Sequence, residues 1–269
     1  MEMIDLSRLE PQETLNHTSK GNQLKWKCYG YWDKADHMGY EETIVSALLG
    51  KSTVKYPFVA YEYSQIKYKE RIYRGCKSAD FLADGYDLIP LEKLYRKFTG
   101  GSLAVDTAHQ GEITDQIKFL VNFVEQTTGL QEFGRYLTSM LEIDAFFLNE
   151  DRHTNNIAVQ YNAADNTYAL CPLFDNGLSL LADTNMDFPL ERSLEDCLKT
   201  VEAKPFSRYF DEQLDAAEEL YGIQLHFNFS TNDVKALIDS YRTAYSQEIC
   251  DRCEALIRRQ MRHYGYLVK

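Results

Sequence analysis

The stretch Asn149–Val159, NEDRHTNNIAV, gathers an Asp, an Arg, a His and three Asn directly before an apolar run. The run continues to Tyr161, and a second run, TYALCPLF, begins at Thr167. The link between the two runs, NAADN, is rich in turn-forming residues, so together they predict a β-hairpin. The polar stretch is therefore expected to form the loop that enters this hairpin. Asp175, in PLFDNG, lies on the segment that leaves it.

The predicted hairpin brings three chemically related side chains close together. Asp151 and Asn156 stand five positions apart on the entering loop, and Asp175 stands on the leaving segment. Phosphoryl transfer from ATP uses an Asp to accept the proton of the attacking hydroxyl, and an Asn and a second Asp to hold Mg²⁺. The catalytic loop of protein kinases, H-R-D-x-x-x-x-N, has the same separation between its Asp and its Asn. The pattern therefore predicts a phosphotransferase with Asp151 as catalytic base and with Asn156 and Asp175 as metal ligands.

Outward from the hairpin, the chain divides into a strand-rich first part and a helix-rich second part. The first part predicts the order strand, strand, helix, strand, strand, with the last two strands joined across a turn at QIKYK. The segments concerned are QLKWKCY, YGYWDKAD, GYEETIVSALLG, YPFVAYEYS and ERIYRGC. We therefore expect an α+β, two-lobed protein-kinase-like fold, with residues 1–77 as a small β-rich N-lobe that contains one helix.

The second part, residues 78–269, is expected to form a larger, mostly helical C-lobe that contains the predicted catalytic loop. Apolar residues recur there at three- and four-residue spacing, which is typical of amphipathic helices. The segments with this spacing are LIPLEKLYRKF, EITDQIKFLVNFVEQTTG, LQEFGRYLTSMLEIDAFFL, 211–221 and 231–264. The hairpin is the one β interruption that the sequence predicts in this part.

Three stretches resemble a known family. NEDRHTNNIAV and PLFDNGLSLL are similar to the catalytic loop and metal segment of HipA-like serine/threonine kinases, in particular of the short, CtkA-type kinase core. KWKCYGYWDKADHMGYEETIVSALL resembles the small-lobe segment of that family that carries the ATP lysine. The resemblance covers most of residues 18–185. It implies that Lys34 contacts the α- and β-phosphates of ATP, that Glu42 pairs with Lys34, and that His153 organises the catalytic loop.

The resemblance leaves some positions open. The link between Lys34 and the following helix is shorter than the family pattern, so Glu41 is an alternative partner for the lysine. The phosphate-covering loop would be HTSKGNQLKW, with Ser19 and Gly21 next to the nucleotide. In HipA-like kinases this loop carries a regulatory autophosphorylation site, for which Thr18 and Ser19 are the candidates.

The hinge to which adenine binds is expected near residues 73–78. Counting strands along the first part places it there, and the backbone groups of Gly75 and Cys76 would then contact the adenine base.

Composition excludes several classes of function. The formal net charge is −12 and the pI about 5.0, which disfavours binding to nucleic acid or to an anionic membrane. No apolar run reaches the length of a transmembrane helix. The amino terminus is polar and acidic, without the apolar region of a secretory signal, which favours the cytoplasm.

Two other classes of function share part of this pattern. Some phosphoinositide kinases also use DRHxxN motifs, but residues 176–200 hold five acidic and two basic side chains. Like charges repel, so this balance favours a protein or basic substrate over an anionic lipid. A pseudokinase that binds nucleotide without transferring phosphate is the other alternative. The partners expected from the resemblance are a protein substrate with a Ser or Thr hydroxyl, the chain itself, and an antitoxin-like regulator.

Overall fold

A five-stranded sheet occupies the first part of the chain. In the computed structural model, which describes residues 3–12, 24–35 and 39–269, its strand order is β1-β4-β5-β3-β2. Only β1 and β4 run parallel among these strands; the other neighbours are antiparallel. The strands are β1 (Met3–Asp5), β2 (Leu24–Cys28), β3 (Tyr31–Ala35), β4 (Tyr61–Tyr68) and β5 (Arg71–Ala79). The predicted order from β2 onward, with a helix after the second strand, is confirmed.

Helix α1 (Gly39–Leu49) lies directly against the sheet at two glycines. A Cβ atom at Gly39 would lie 2.6 Å from the carbonyl carbon of Gly75, and one at Gly75 would lie 2.1 Å from the carbonyl oxygen of Lys34. Since real Cβ atoms do not approach other atoms so closely, only glycine allows the backbones of α1, β3 and β5 to meet here. This close approach brings the first turn of α1 next to Lys34.

Two predicted boundaries were wrong. The first four residues of QIKYK are not a turn: they belong to β4, because they alternate in burial with Ile66 and Tyr68 inside, and the turn comes at residues 69–70. LIPLEKLYRKF is not helical throughout, because its first three residues belong to a strand, β6 (Tyr86–Pro90). The helix begins only at Leu91, since proline both lacks an N–H group and disfavours helical backbone in the residue before it.

The second part of the chain holds the remaining helices around a three-stranded sheet. In that sheet β6 pairs with β7 (Ala158–Asn162), which pairs with β8 (Thr167–Leu170), so the predicted hairpin is present and has a third strand. The helices are α2 (Leu91–Thr99), α3 (Leu103–Ala108), α4 (Ile113–Thr128), α5 (Phe133–Phe147), α6 (Leu194–Leu198), α7 (Phe210–Tyr221), α8 (Thr231–Asp239) and α9 (Gln247–His263). No helix within the described ranges is both long and apolar enough to cross a membrane.

Helix α5 is the centre of the core. Every one of its residues except Arg135 is buried, and it packs against α4, α7 and α9. Near its carboxyl end Phe146 stacks at 4.1 Å between ring centroids on Phe227, from the segment between α7 and α8. A helix buried on all sides makes a rigid base for the residues attached to its end. The polar loop of the NEDRHTNN motif is attached to α5 in this way.

Candidate active site

The predicted catalytic loop begins where α5 ends. Leu148 has left-handed backbone (φ 55°) and stops the helix. The next residues form tight turns, in which the amide of His153 donates to the carbonyl of Asp151 at 2.9 Å, and the amide of Asn156 donates to the carbonyl of His153 at 2.8 Å. These bonds fold the loop on itself, so Asp151 and Asn156 lie on the same side of it. Beyond Asn156 the chain continues directly into β7.

Arg152 anchors the loop to the buried helix α5. Only 2% of its side chain is exposed, and it forms a bidentate ion pair with the fully buried Asp144 of α5, at 2.8 and 3.0 Å. Its other N–H groups donate to the carbonyls of Asn156 (3.1 Å) and Phe174 (3.0 Å) and to the Oδ1 atom of Asn176 (3.0 Å). One guanidinium group therefore joins α5, the loop and the segment after β8, and so fixes the positions of Asp151 and Asp175 relative to each other.

Three polar side chains face the carboxylate of Asp151, which is 19% exposed. The Nδ2 atom of Asn156 donates to its carbonyl at 2.8 Å and to its Oδ2 atom at 3.2 Å. The Oδ1 atom lies 3.7 Å from Nε2 of His153 and 3.5 Å from Nζ of Lys204. Asp151 is thus oriented by its neighbours and still open to solvent, as a base that must meet an incoming hydroxyl has to be.

Asp175 lies at the junction of the two parts of the molecule. Its backbone is left-handed (φ 62°), a conformation that Asp tolerates better than most residues, and its carbonyl accepts from Asn149 Nδ2 at 3.4 Å. Burial by itself raises the pKa of Asp175, but the positive charges of Lys34, Lys25 and Arg152 outweigh it and lower the pKa to about 2. The carboxylate is therefore charged at neutral pH.

The sheet supplies the opposite wall of the site. Lys34 Nζ, on β3, lies 2.7 Å from Glu42 Oε1 on α1 and 3.6 Å from Asp175 Oδ1. The partner of Lys34 is thus Glu42 and not the alternative, Glu41. Burial lowers the pKa of the lysine, but the attraction of Glu42, Tyr61 and Asp175 outweighs this effect and holds the pKa well above its usual value.

Glu42 also contacts the second part of the chain. Its Oε2 atom accepts from the backbone amide of Asn176 at 3.1 Å, while its Oε1 atom holds Lys34. A single buried carboxylate therefore connects β3, α1 and the segment that carries Asp175.

A cavity of about 270 Å³ opens between these two walls. It is lined both by charged side chains and by aromatic or aliphatic ones, the two kinds of group that the phosphates and the base of a nucleotide require. Its polar and charged lining residues are Gln12, Lys25, Lys34, Ser78, Asp80 and Asp175, and its apolar or aromatic ones are Trp32, Tyr61, Phe81, Leu82, Leu88 and Phe174. Lys25 stands directly opposite Lys34 on the neighbouring strand, so the cavity has two cations on one side.

The predicted hinge residues lie elsewhere than expected. Gly75 and Cys76 are in the middle of β5, paired with β3 on one side and with β4 on the other. Their backbone groups therefore form hydrogen bonds with the neighbouring strands and are not available to a ligand. Strand β5 continues to Ala79. The connection between the two parts of the molecule is residues 80–85, of which Phe81 and Leu82 line the cavity. Thr18, Ser19 and Gly21, of the predicted phosphate-covering loop, lie outside the described residues.

The donor atoms at the junction fit a magnesium ion. The side-chain nitrogen of Asn156, Nδ2, donates to Asp151. The side-chain oxygen, Oδ1, is therefore the atom of Asn156 that is left for a cation. Asp175 adds a charged carboxylate. Magnesium prefers oxygen ligands and is commonly held by one or two side chains together with the phosphates of its nucleotide.

Four residues that shape the site were not among the predicted ones. Asp144 and Lys204 lie 7 positions before and 53 positions after Asp151, so nothing in the local sequence connects them to it. Arg152 belongs to the quoted motif, but only its burial shows its role as the anchor of the loop. The spacing of Lys25 and Lys34 becomes informative once the short hairpin between them is recognised, because the hairpin places them on one face.

Comparison with known proteins supports the fold. No protein-family model and no curated protein sequence matches the chain. Among solved structures, the crystal structure of the proinflammatory kinase CtkA of Helicobacter pylori matches 97% of this chain and 94% of that chain, with a TM-score of 0.65 and 15% sequence identity. A likeness at this level of identity is one of fold. The chain therefore has the two-lobed, mixed α+β fold of a kinase-like protein.

Proposed function

We propose that the protein is an ATP- and Mg²⁺-dependent serine/threonine protein kinase of the HipA-like type, with its own chain among the acceptors. The observation that carries the proposal is that Lys34 and Asp175, 141 positions apart in the sequence, line one cavity and lie 3.6 Å apart, while Arg152 ties the loop of Asp151 to the segment of Asp175. The serine/threonine class follows from the resemblance of the motifs around Asp151 and Asp175. The kinase-like fold is consistent with it.

In this proposal the sheet binds the nucleotide. The adenine base lies toward Phe81 and Phe174, whose rings are 5.6 Å apart between centroids. Lys34 and Lys25 neutralise phosphate charge from the β3 and β2 side. Asn156 and Asp175 hold the magnesium ion, which neutralises the phosphate oxygens when it is bound.

Asp151 performs the proton chemistry. The serine or threonine hydroxyl attacks the γ-phosphorus, its proton passes to the carboxylate of Asp151, and the bond from the γ-phosphorus to the bridging oxygen of ADP breaks. Asn156 orients this residue with one hydrogen bond to its backbone carbonyl and one to its carboxylate. Most of the rate enhancement then comes from positioning and from the neutralisation of charge, as in other phosphoryl transfers.

The proposal is tested by measuring the intact mass of the protein after incubation with ATP and Mg²⁺, in the wild type and in Asp151→Asn. We expect added phosphate on the wild type, and a rate lower by about 10²- to 10⁴-fold in the variant, because a general base contributes about this factor. Binding of ATP should stay within about twofold of wild type, since the variant keeps the shape of the side chain. A panel of serine, threonine and tyrosine peptides and of phosphoinositide vesicles is assayed in parallel.

The outcomes separate the alternatives. Equal transfer by wild type and variant would show that Asp151 is not the base. Binding of ATP without transfer to any acceptor would favour a pseudokinase, and transfer to the lipid alone would favour a lipid kinase.

A further inference from the structure

The segment between α6 and α7 reaches back to the candidate active site. Its Lys204 lines a second cavity, of about 360 Å³, together with Glu150 of the catalytic loop and with Asp187 and Phe188. The ammonium group lies 3.5 Å from Oδ1 of Asp151. Within the described ranges, no other lysine or arginine is paired with this carboxylate. Lys204 therefore contacts the proposed catalytic base and also lines the cavity next to the catalytic loop.

The backbone at Lys204 is held in place by a buried glutamine. Gln213, on α7, is fully buried; its Nε2 atom donates to the carbonyl of Lys204 at 3.1 Å, and its Oε1 atom accepts from the amide of Phe206 at 3.3 Å. The amide of Ala203 also donates to the carbonyl of Arg208, at 2.9 Å. Burying an amide side chain is favourable only when both of its ends are satisfied, and here both serve to fix the segment that carries Lys204.

Lys204 does not form its ion pair with a residue that is near it in the sequence. Glu202, the acidic residue two positions before Lys204, pairs with Arg208 at 2.6 Å. Lys199, by contrast, pairs locally with Asp196 at 2.7 Å, three positions away on the surface. Lys204 has the carboxylate of Asp151 as its ion-pair partner, 53 positions earlier in the chain.

We propose that Lys204 is a further catalytic residue of the phosphoryl transfer, an inference that rests on the proposed function. Before the reaction it balances the charge of Asp151. As the acceptor oxygen bonds to the γ-phosphorus and the proton moves to Asp151, that carboxylate is neutralised and negative charge remains on the phosphoryl oxygens and on the departing ADP. The ammonium group then stabilises the phosphoryl group in transit. An interaction that becomes stronger in the transition state raises kcat more than it changes the binding of ATP.

The test compares Lys204→Met and Lys204→Arg with a matched control, Lys199→Met, five positions away. We expect Lys204→Met to lower kcat by about 10- to 100-fold with KM for ATP within about twofold, because one cation at a developing charge is removed. Lys204→Arg should recover most of the loss, since it keeps the charge, and Lys199→Met should behave as wild type. The change in melting temperature on adding Mg²⁺ and ATP shows for each variant that the fold and the nucleotide site are intact.

The outcomes distinguish this inference from the proposed function. A wild type that transfers phosphate to no acceptor contradicts the proposed function and the role of Lys204 with it. An active wild type with an equally active Lys204→Met contradicts the role of Lys204 alone. A loss in Lys204→Met that appears only in KM, or that Lys204→Arg does not relieve, also contradicts it, because a binding or purely structural role would have that signature.

Discussion

The two walls of the candidate active site are held in different ways. The catalytic loop rests on the most buried helix of the protein and is tied to it by Arg152, whose guanidinium group serves α5, the loop itself and the segment of Asp175. The nucleotide wall depends on one ion pair between a strand and a helix, Lys34–Glu42, and on the packing of α1 against the sheet at Gly39. The first arrangement has five hydrogen bonds around one guanidinium group, and the second has two around one carboxylate.

This difference indicates a division of work. In the proposed function, the base and the metal ligands must be held within tenths of an ångström, and the residues proposed for these roles are the ones tied to the buried helix. The nucleotide wall has fewer such bonds. Damage to the first wall should therefore appear mainly in folding, and damage to the second in the binding of ATP as well as in folding, because Lys34 and Glu42 are also buried.

The largest effect is expected from Arg152→Met. The substitution leaves Asp144 in the core without the cation that pairs with it, and breaking a buried ion pair in this way costs about 3–5 kcal/mol of unfolding free energy. Urea denaturation measures the loss. Arg135→Met, at the only exposed position of α5, is the control and should cost less than about 1 kcal/mol. If Arg152→Met unfolds at the urea concentration of wild type, the loop is not anchored as described.

The next effect is on the binding of ATP. Lys34→Met and Glu42→Gln should weaken the binding of ATP by about 10- to 100-fold, since a hydrogen bond to a charged group contributes about 1.5–3 kcal/mol. Calorimetric titration with ATP measures this, with Lys67→Met as control because Lys67 pairs with Asp5 on the surface. A variant of Lys34 that bound ATP normally would remove the functional difference between the two walls.

A smaller change should follow from Asp175→Asn. The amide keeps the size of the side chain but is a poor ligand for Mg²⁺, so the affinity for ATP in the presence of Mg²⁺ should fall about tenfold. Without Mg²⁺ the variant and the wild type should bind ATP more nearly alike. Titrations with and without the metal give the two ratios. Retention of the full Mg²⁺ effect in the variant would exclude Asp175 as a ligand.

Helix α5 offers a last test, through a second buried carboxyl. Glu142 has no cation beside it among the described residues and accepts the amides of Gln224 (2.7 Å) and Leu225 (3.0 Å). Burial raises its pKa from 4.5 to about 8. The folded protein therefore keeps this proton between about pH 5 and pH 8 while the unfolded chain loses it, so its contribution to stability falls as pH rises, by up to about 1.4 kcal/mol per pH unit.

Glu142→Gln should remove this contribution. Melting temperatures at pH 5 and pH 8 should then differ less in the variant than in the wild type. An unchanged difference would mean that other groups determine the pH dependence.

The parts of this structure that could be predicted are those encoded over short distances. The loop, the hairpin and Asp175 follow one another within 27 residues, so local patterns bring them together. Lys34 and Glu42 came from the family resemblance of the segment KWKCYGYWDKADHMGYEETIVSALL. The hairpin turn after β4 was misplaced because Gln65, Lys67 and Lys69 alternate with Ile66 and Tyr68 and look like a polar turn. The start of α2 was misplaced because the apolar residues before Pro90 also fit a helix.

Long-range contacts account for most of the features that could not be predicted. The hinge was placed at Gly75 because the end of β5 depends on its pairing with β3 and β4, which a single strand does not reveal. From the sequence alone, Arg152 looks like a solvent-exposed residue of a polar loop. Only the tertiary structure shows that it is buried and pairs with Asp144. Lys204 reads as an ordinary surface lysine until the tertiary structure brings it to Asp151.

The shared carboxylate of Glu42 has a consequence for how the protein can be switched. One oxygen holds Lys34 and the other holds the amide of Asn176, so its two partners belong to the two parts of the molecule. A displacement of α1 away from the sheet breaks the contact with Lys34, and a displacement away from the segment of Asp175 breaks the contact with Asn176. Both contacts are therefore made together in one position of α1. A molecule that binds to α1 and displaces it would thus remove one or both of them and uncouple the helix from the proposed active site.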